Sequence, residues 1–243
     1  MINFIGFSEF FLQNPICLLV LLAHVLVDFQ FQSQKLADLK VKKFSFLIRH
    51  LIIVILPLIV LAILIPKGLL FFSLVGVSHI VIDFLKYVVH PLVVKRHCEK
   101  AIFLFDQFLH IACIFAFYFL FGQFKYPNWV NEGYLIYQIL LLFAITGKPV
   151  NILFKLFFSK YQSQDMGEET VAGAGAMIGI LERLIMAISL VFGQFTAIGL
   201  VFTAKSIARY NKISESQSFA EYYLIGSLFS MISVLLTYGI FYW

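Results

Sequence analysis

Three short segments of the chain each place one imidazole and one carboxylate four residues apart within an apolar run. The pairs are His24 with Asp28, His79 with Asp83, and Asp106 with His110. On an α-helix this spacing puts both side chains on one face, with about 6 Å between their Cβ atoms. Imidazole and carboxylate are ligands that zinc, manganese and iron accept together, so the pairs point to a metal site.

The composition places these segments in a membrane. Of the 243 residues, 61% are hydrophobic and only 13% are charged, whereas a soluble domain has about 25% charged residues. Because lipid offers the backbone no hydrogen-bond partners, segments that span it are helical. We therefore predict an all-α fold, a polytopic transmembrane helical bundle embedded in the lipid bilayer. Ionisable residues inside such a bundle are costly and are functional candidates.

Apolar runs of about 20 residues predict eight helices. They cover residues 9–32, 46–65, 69–90, 101–121, 134–158, 171–192, 195–209 and 219–241. The count depends on a break at Gly193-Gln194, because 171–210 as a single helix would give seven helices. The first run carries Glu9 and no basic segment precedes it, so we expect it to remain as a helix and not to be cleaved as a signal peptide.

The basic residues predict the orientation of these helices. With eight helices, all but three of the 18 lysines and arginines lie on one side of the membrane. The positive-inside rule makes that side cytoplasmic and the N-terminus external, so the net charge of +5 reports orientation and no nucleic-acid partner is expected. We predict a multi-pass protein of the cell (inner) membrane with two four-helix halves, 1–125 and 134–243, and a hinge near Asp165–Thr170.

Chain direction is expected to bring the three pairs together. The first two pairs have histidine first, in helices that run towards the cytoplasm, and the third has aspartate first, in a helix that runs away from it. Antiparallel packing therefore predicts three carboxylates in one layer near the cytoplasmic face and three imidazoles one turn deeper. His50 lies about one turn into the second helix and is expected to join the carboxylate layer.

Such a cluster suits one or two divalent cations. Carboxylates that share a low-dielectric site repel one another, so a cation is their natural partner. Mixed nitrogen and oxygen ligands favour Zn, Mn or Fe over Ca. The predicted metal ligands are His24, Asp28, His50, His79, Asp83, Asp106 and His110. Asp83 or Asp106 is the predicted catalytic base, and Lys86 and Gln107 flank the pairs as candidate substrate contacts.

A second polar collection lies in the second half of the chain. Glu182 and Arg183 are adjacent, so they cannot both face lipid without cost. One interpretation is a set of structural ion pairs that involves Glu182, Arg183 and Glu221. The other is a site for an anionic lipid headgroup or a phosphate-bearing substrate, formed by Lys148, Arg183, Lys205 and Arg209.

Six sequence blocks resemble a known family. They are LLAHVLVDFQFQSQ, HIVIDFLK, FLFDQFLHI, GILERLI, AKSIARY and AEYYLIGSL. Their combination is similar to the DUF3307 family of bacterial integral membrane proteins, whose biochemical activity is unassigned. The paired His/Asp motifs are more loosely similar to those of the YdjM-like proteins, which are described as candidate membrane-bound metal-dependent hydrolases. This second likeness is one of motif style and implies no individual catalytic residue.

These features together predict a metal-dependent hydrolase. Its cytoplasm-facing His/Asp site would act on a phosphate ester or another membrane-associated substrate. Two alternatives stay open: a proton- or ion-coupled transporter or relay would use the same residues, and a non-enzymatic membrane scaffold would use them as polar contacts between helices. The relay is disfavoured because comparable polar residues do not continue into the outer halves of these helices.

Overall fold

The computed structural model describes residues 7–162 and 173–242, and these residues contain helices and no strand. The described ranges contain thirteen α-helices, α1 to α13 in chain order. Their bounds are Phe7–Gln13, Pro15–Val25, Gln34–Lys40, Phe44–Leu64, Leu69–Lys95, Glu99–Phe121, Trp129–Glu132, Tyr134–Thr146, Lys148–Phe158, Ala174–Val191, Thr196–Ala208, Tyr210–Glu215 and Gln217–Tyr242. A π-helix, Leu26–Gln30, follows α2 directly.

Six helical segments of the described ranges are long and apolar enough to cross a membrane. They are Phe44–Leu64, Pro66–Lys95, Glu99–Phe121, Tyr134–Tyr161, Ala174–Val191 and Gln217–Tyr242. The prediction of an all-α membrane bundle is confirmed. Many leucine, isoleucine, valine and phenylalanine side chains on these helices are exposed, as a lipid-facing surface requires.

The helix predicted over 9–32 is broken in the structure. Phe7–Gln13 and Pro15–Gln30 meet at an angle of 106°, so together they form either one bent span or a re-entrant segment. The break has a local cause, because Pro15 lacks a backbone N–H and disfavours helical geometry at Asn14, whose φ is −131°. The Asn14 side chain donates to the Phe10 carbonyl at 2.7 Å and so fills one of the acceptors that the break leaves open.

The predicted break at Gly193-Gln194 is confirmed. Helix α10 ends at Val191 and α11 begins at Thr196, and Gly193 lies between them with φ of +71°, a conformation that glycine adopts readily. A single helix over 171–210 is therefore wrong. Helix α11 has only 13 residues, about 20 Å of helix against a hydrocarbon core of about 30 Å. The described residues thus hold six or seven candidate spans, and not eight.

The chain forms two packing units, one over Glu9–Leu141 and one that contains the chain from Leu142 onward. In the first unit α2, α4, α5 and α6 pack side by side, and the short α3 folds back against α4. In the second unit the core is formed by side chains of α8, α10, α11 and α13. Its buried members are Leu142, Met186, Ala187, Leu190, Ile198 and Val234. The hinge predicted at Asp165–Thr170 lies outside the described residues.

Candidate metal centre

The first unit brings all seven predicted ligands to one buried place. Their residue exposure is between 0 and 5%, so each is removed from solvent and from lipid. They come from four neighbouring elements: α2 with its π-helical extension, α4, α5 and α6. The residues are His24, Asp28, His50, His79, Asp83, Asp106 and His110. Burying this many ionisable groups without function would be costly.

Helices α5 and α6 hold their pairs as the four-residue spacing predicts. His79 Nε2 lies 3.4 Å from Asp83 Oδ2, and His110 Nε2 lies 3.6 Å from Asp106 Oδ1. The two helices are adjacent and antiparallel, so the reversed order of the motif in α6 compensates for the reversed chain direction. The rings of His79 and His110 consequently approach to 4.0 Å between centroids.

The first pair behaves differently because Asp28 lies in the π-helix. The π turn is marked by the Phe31 N–H, which donates to the Leu26 carbonyl five residues earlier at 2.8 Å. Asp28 Oδ1 lies 3.3 Å from His79 Nε2 and 3.5 Å from His50 Nε2. Single π turns within helices occur frequently at functional sites. Here the π turn places the Asp28 carboxylate beside His50 of α4 and His79 of α5.

His24 completes a group of three imidazoles. Its ring centroid lies 5.3 Å from that of His79 and 5.1 Å from that of His110. A cavity of about 20 Å³ borders these rings and is otherwise lined mainly by apolar side chains of the four helices. That volume has room for about one water molecule and not for an organic substrate.

Several buried polar atoms of the cluster make no hydrogen bond to the described residues. Within the described residues, these buried atoms lack a hydrogen-bond partner: both ring nitrogens of His24, Asp28 Oδ1, His50 Nδ1, His79 Nε2, Asp83 Oδ2, Asp106 Oδ1 and His110 Nε2. A cation among these nitrogen and oxygen atoms would satisfy several of them at once. Two ligands about 2.1 Å from a tetrahedral metal are about 3.4 Å apart. Four nitrogen–oxygen separations, of 3.3 to 3.6 Å, match that value, whereas His50 Nε2 lies closer to Asp83 Oδ2, at 2.9 Å.

Three groups of three ligands fit a metal ion, with the ligand atoms of each group within 4.8 Å of one another. The groups are His24, His79 and His110; Asp28, His50 and His79; and Asp83, Asp106 and His110. The last two share no residue, whereas the all-histidine group takes one imidazole from each of them. Among these three groups of described residues, the two mixed groups are therefore the pair that can hold two ions together, which leaves His24 beside them.

Comparison with known proteins places this cluster in a family. The family model described as "Protein of unknown function (DUF3307)" matches residues 16–138, half of the chain. The chain belongs to the DUF3307 family. No curated protein and no solved structure matches it. The DUF3307 match contains every member of the His/Asp cluster, so the cluster is part of the region that defines the family.

The DUF3307 region also contributes Lys40, which the sequence did not identify as a site residue. Lys40 ends α3 and is buried, with Nζ 2.9 Å from His50 Nε2 and 3.7 Å from Asp83 Oδ1. In the sequence it is one of several lysines in a basic loop and reports only orientation. The available signal is its four-residue spacing from Leu36, which is also buried, because that spacing gives α3 an inward face.

Lys86 and Gln107 lie where the sequence predicts, beside the carboxylates. Lys86 Nζ donates to Asp106 Oδ2 at 2.6 Å. Gln107 Nε2 donates to Asp28 Oδ2 at 3.1 Å and to Asp106 Oδ2 at 3.2 Å, and so connects one mixed group with the other. These donors hold the outward oxygens of the carboxylates, while the oxygens that face the imidazoles stay available to a cation.

The polar residues of the second unit lie outside the DUF3307 match and are mostly engaged with one another. Lys205 Nζ pairs with Glu182 Oε2 at 2.7 Å, and Glu221 accepts from Gln217 on its own helix. Arg183 donates to the carbonyls of Thr146 and Gly147 and to the side chains of Asn151 and Ser230. Glu182 thus takes Lys205 as its ionic partner, whereas Arg183 donates to neutral acceptors and Glu221 accepts from a glutamine. Lys148 is exposed at the start of α9, and Arg209 is half-buried where α11 ends.

Proposed function

We propose that this DUF3307 protein is a metal-dependent hydrolase of the bacterial inner membrane, with a two-ion centre in its first unit. One observation carries the proposal: buried imidazole nitrogens and carboxylate oxygens lie at metal-ligand spacing in two groups without shared members. Mixed nitrogen and oxygen ligands suit Zn, Mn or Fe. The looser similarity of the motifs to those of YdjM-like proteins supports the same class of activity.

The bound ions would supply an acidified water molecule as nucleophile and polarise the substrate. The protein then has to orient its ligands and accept the proton of that water. Asp83 is better placed for proton transfer than Asp106. Its outward oxygen has Lys40 at 3.7 Å, whereas the outward oxygen of Asp106 already accepts from Lys86 and Gln107 at 2.6 and 3.2 Å. Gln107 donates to Asp28 and to Asp106, and so holds one carboxylate of each group in a fixed relative position.

A hydrolysis assay tests this function. The protein purified without chelators is expected to hydrolyse p-nitrophenyl phosphate, to lose this activity with EDTA and to regain it with Zn²⁺ or Mn²⁺. Asp83→Asn should lower the rate about 100-fold or more, because it removes both a ligand and the proton acceptor. Asp38→Asn is the matched control, since Asp38 is an exposed carboxylate on α3 whose bond is to its own helix.

Other outcomes would assign the cluster to the alternatives. A protein that contains no metal when purified without chelators would contradict the hydrolase. Proton flux in proteoliposomes that needs no metal and is abolished by Asp28→Asn would show a relay. The six paired positions can also be replaced by alanine. If these variants change thermal stability but leave the cellular phenotype intact, the cluster belongs to a scaffold.

The orientation is a separate proposal. We place the carboxylate end of the cluster, with Lys40 and Lys86, at the cytoplasmic face, and the N-terminus outside if the bent first segment crosses the membrane completely. An alkaline phosphatase fused after Lys43 is then expected to be inactive and one fused after Lys125 active, because that enzyme matures only in the oxidising periplasm. The reverse pattern would place the site at the periplasmic face.

A further inference from the structure

Two lysines reach the carboxylate end of the proposed metal centre. Lys40 contacts His50 of one mixed group and Asp83 of the other, and Lys86 contacts Asp106. Their side-chain exposures are 8% and 18%, greater than those of the carboxylates. The opposite end, at the imidazoles, is closed by apolar side chains with room for about one water molecule. A substrate therefore has to approach from the lysine end.

Metal binding would release one of these ammonium groups. His50 Nε2 is the ring nitrogen that faces Asp28 Oδ1, at 3.5 Å. It has a single lone pair, so it cannot both accept a hydrogen bond from Lys40 and ligate an ion. Lys86 can stay in place, because it holds the outward oxygen of Asp106 while the other oxygen faces His110. Lys40 is buried and carried on a helix anchored by Leu36. Once released, its ammonium group needs another anion nearby, since an unpaired buried charge is costly.

Charge balance identifies that anion. Two divalent ions and two ammonium groups carry six positive charges, and the carboxylates of Asp28, Asp83 and Asp106 carry three negative ones. In a buried site this excess has to be neutralised. A metal-bound hydroxide supplies one negative charge and a phosphate monoester dianion supplies two. A neutral carboxylic ester or amide would leave most of the excess uncompensated.

We infer that Lys40 is a substrate-binding residue and that the centre takes a phosphate monoester, whose oxyanion Lys40 binds beside the ion held by Asp28, His50 and His79. The inference rests on the proposed function, because Lys40 is released only when that ion is present. The phosphate monoester can belong to a soluble compound or to a lipid such as phosphatidic acid. Both present the same dianionic group to the lysine end of the cluster.

Phosphate binding is the direct test. Metal-loaded protein in phosphatidylcholine nanodiscs is titrated calorimetrically with inorganic phosphate, and Lys40→Met is expected to weaken binding at least about tenfold, the loss of one charge-assisted hydrogen bond. Its metal content should equal that of the wild type. Lys35→Met is the matched control, since Lys35 is exposed on the same short helix, and it should bind phosphate normally. Phosphate affinity of Lys40→Met equal to wild type would overturn the inference.

Two further measurements use the wild type and do not depend on how the variant folds. Bound phosphate should raise the affinity for metal, because linked ligands affect each other reciprocally. A metal affinity that is the same with and without phosphate would overturn the inference. Nanodiscs with phosphatidic acid should compete with inorganic phosphate if the substrate is a lipid, and competition by glycerol phosphate alone would indicate a soluble one. Wild type that takes up no metal would instead contradict the proposed function itself, which separates the two failures.

Discussion

In the proposed two-ion centre, replacing His79 by alanine is expected to remove one metal ion per chain and to leave the other in place. His79 belongs to the group with Asp28 and His50, and its Nε2 lies 3.3 Å from Asp28 Oδ1. Losing an imidazole ligand should weaken the affinity for that ion by more than about 100-fold. This exceeds the effect of removing a hydrogen-bond partner of a ligand. The second group, around Asp106 and His110, keeps its full ligand set.

The measurement is elemental analysis of purified protein, reported as ions per chain. His50→Ala should match His79→Ala, and His110→Ala should remove the other ion. His24→Ala should keep both, because two disjoint groups leave His24 without a required ligand role. His90→Ala is the matched control on α5, a half-buried histidine outside the cluster. If His24→Ala loses an ion while His50→Ala keeps both, the all-histidine group is the site and the two-ion arrangement is wrong.

The sequence predicted the cluster well because two of its pairs sit in uninterrupted helices. In α5 and α6 the four-residue spacing alone fixes which side chains share a face. Antiparallel packing of the two helices then brings the two pairs together. The pair in the first helix was less predictable, since nothing in the apolar pattern reports a hydrogen bond from Phe31 back to Leu26. That π turn changes which imidazoles Asp28 meets, from its own helix to α4 and α5.

Breaks and buried lysines are harder to predict for different physical reasons. Asn14-Pro15 is a recognisable helix-breaking dipeptide, but the apolar run continues on both sides and conceals the bend. Lys40 belongs to a basic loop whose charges satisfy the positive-inside rule, and only the folding of α3 against α4 shows that it is buried. The role of Arg183 depends on a helix break that determines which carbonyls are left for it to bind.

That break separates α8 from α9 at Gly147, where ψ is −117°. Pro149 lies at the start of α9, where its missing N–H costs the helix nothing. Arg183 donates to the carbonyls of Thr146 and Gly147, at 2.5 and 3.3 Å. It also donates to Asn151 Oδ1 at 2.5 Å. Its residue exposure is only 2%. The guanidinium thus connects α10 to both sides of the break, at the end of α8 and in the first turn of α9.

Arg183→Ala is therefore expected to destabilise the protein by about 3 kcal/mol or more, because two buried carbonyls would lose charged donors worth about 1.5 to 3 kcal/mol each. Arg183→Lys should recover only part of this, since one ammonium group cannot span acceptors that a planar fork reaches. The measurement is the free energy of unfolding in detergent micelles. Arg209→Ala is the matched control, half-buried where α11 ends, and should change it by less than about 0.5 kcal/mol. Equal stabilities for the two alanine variants would show that Arg183 is not what holds the break, and would return it to the candidates for anion binding.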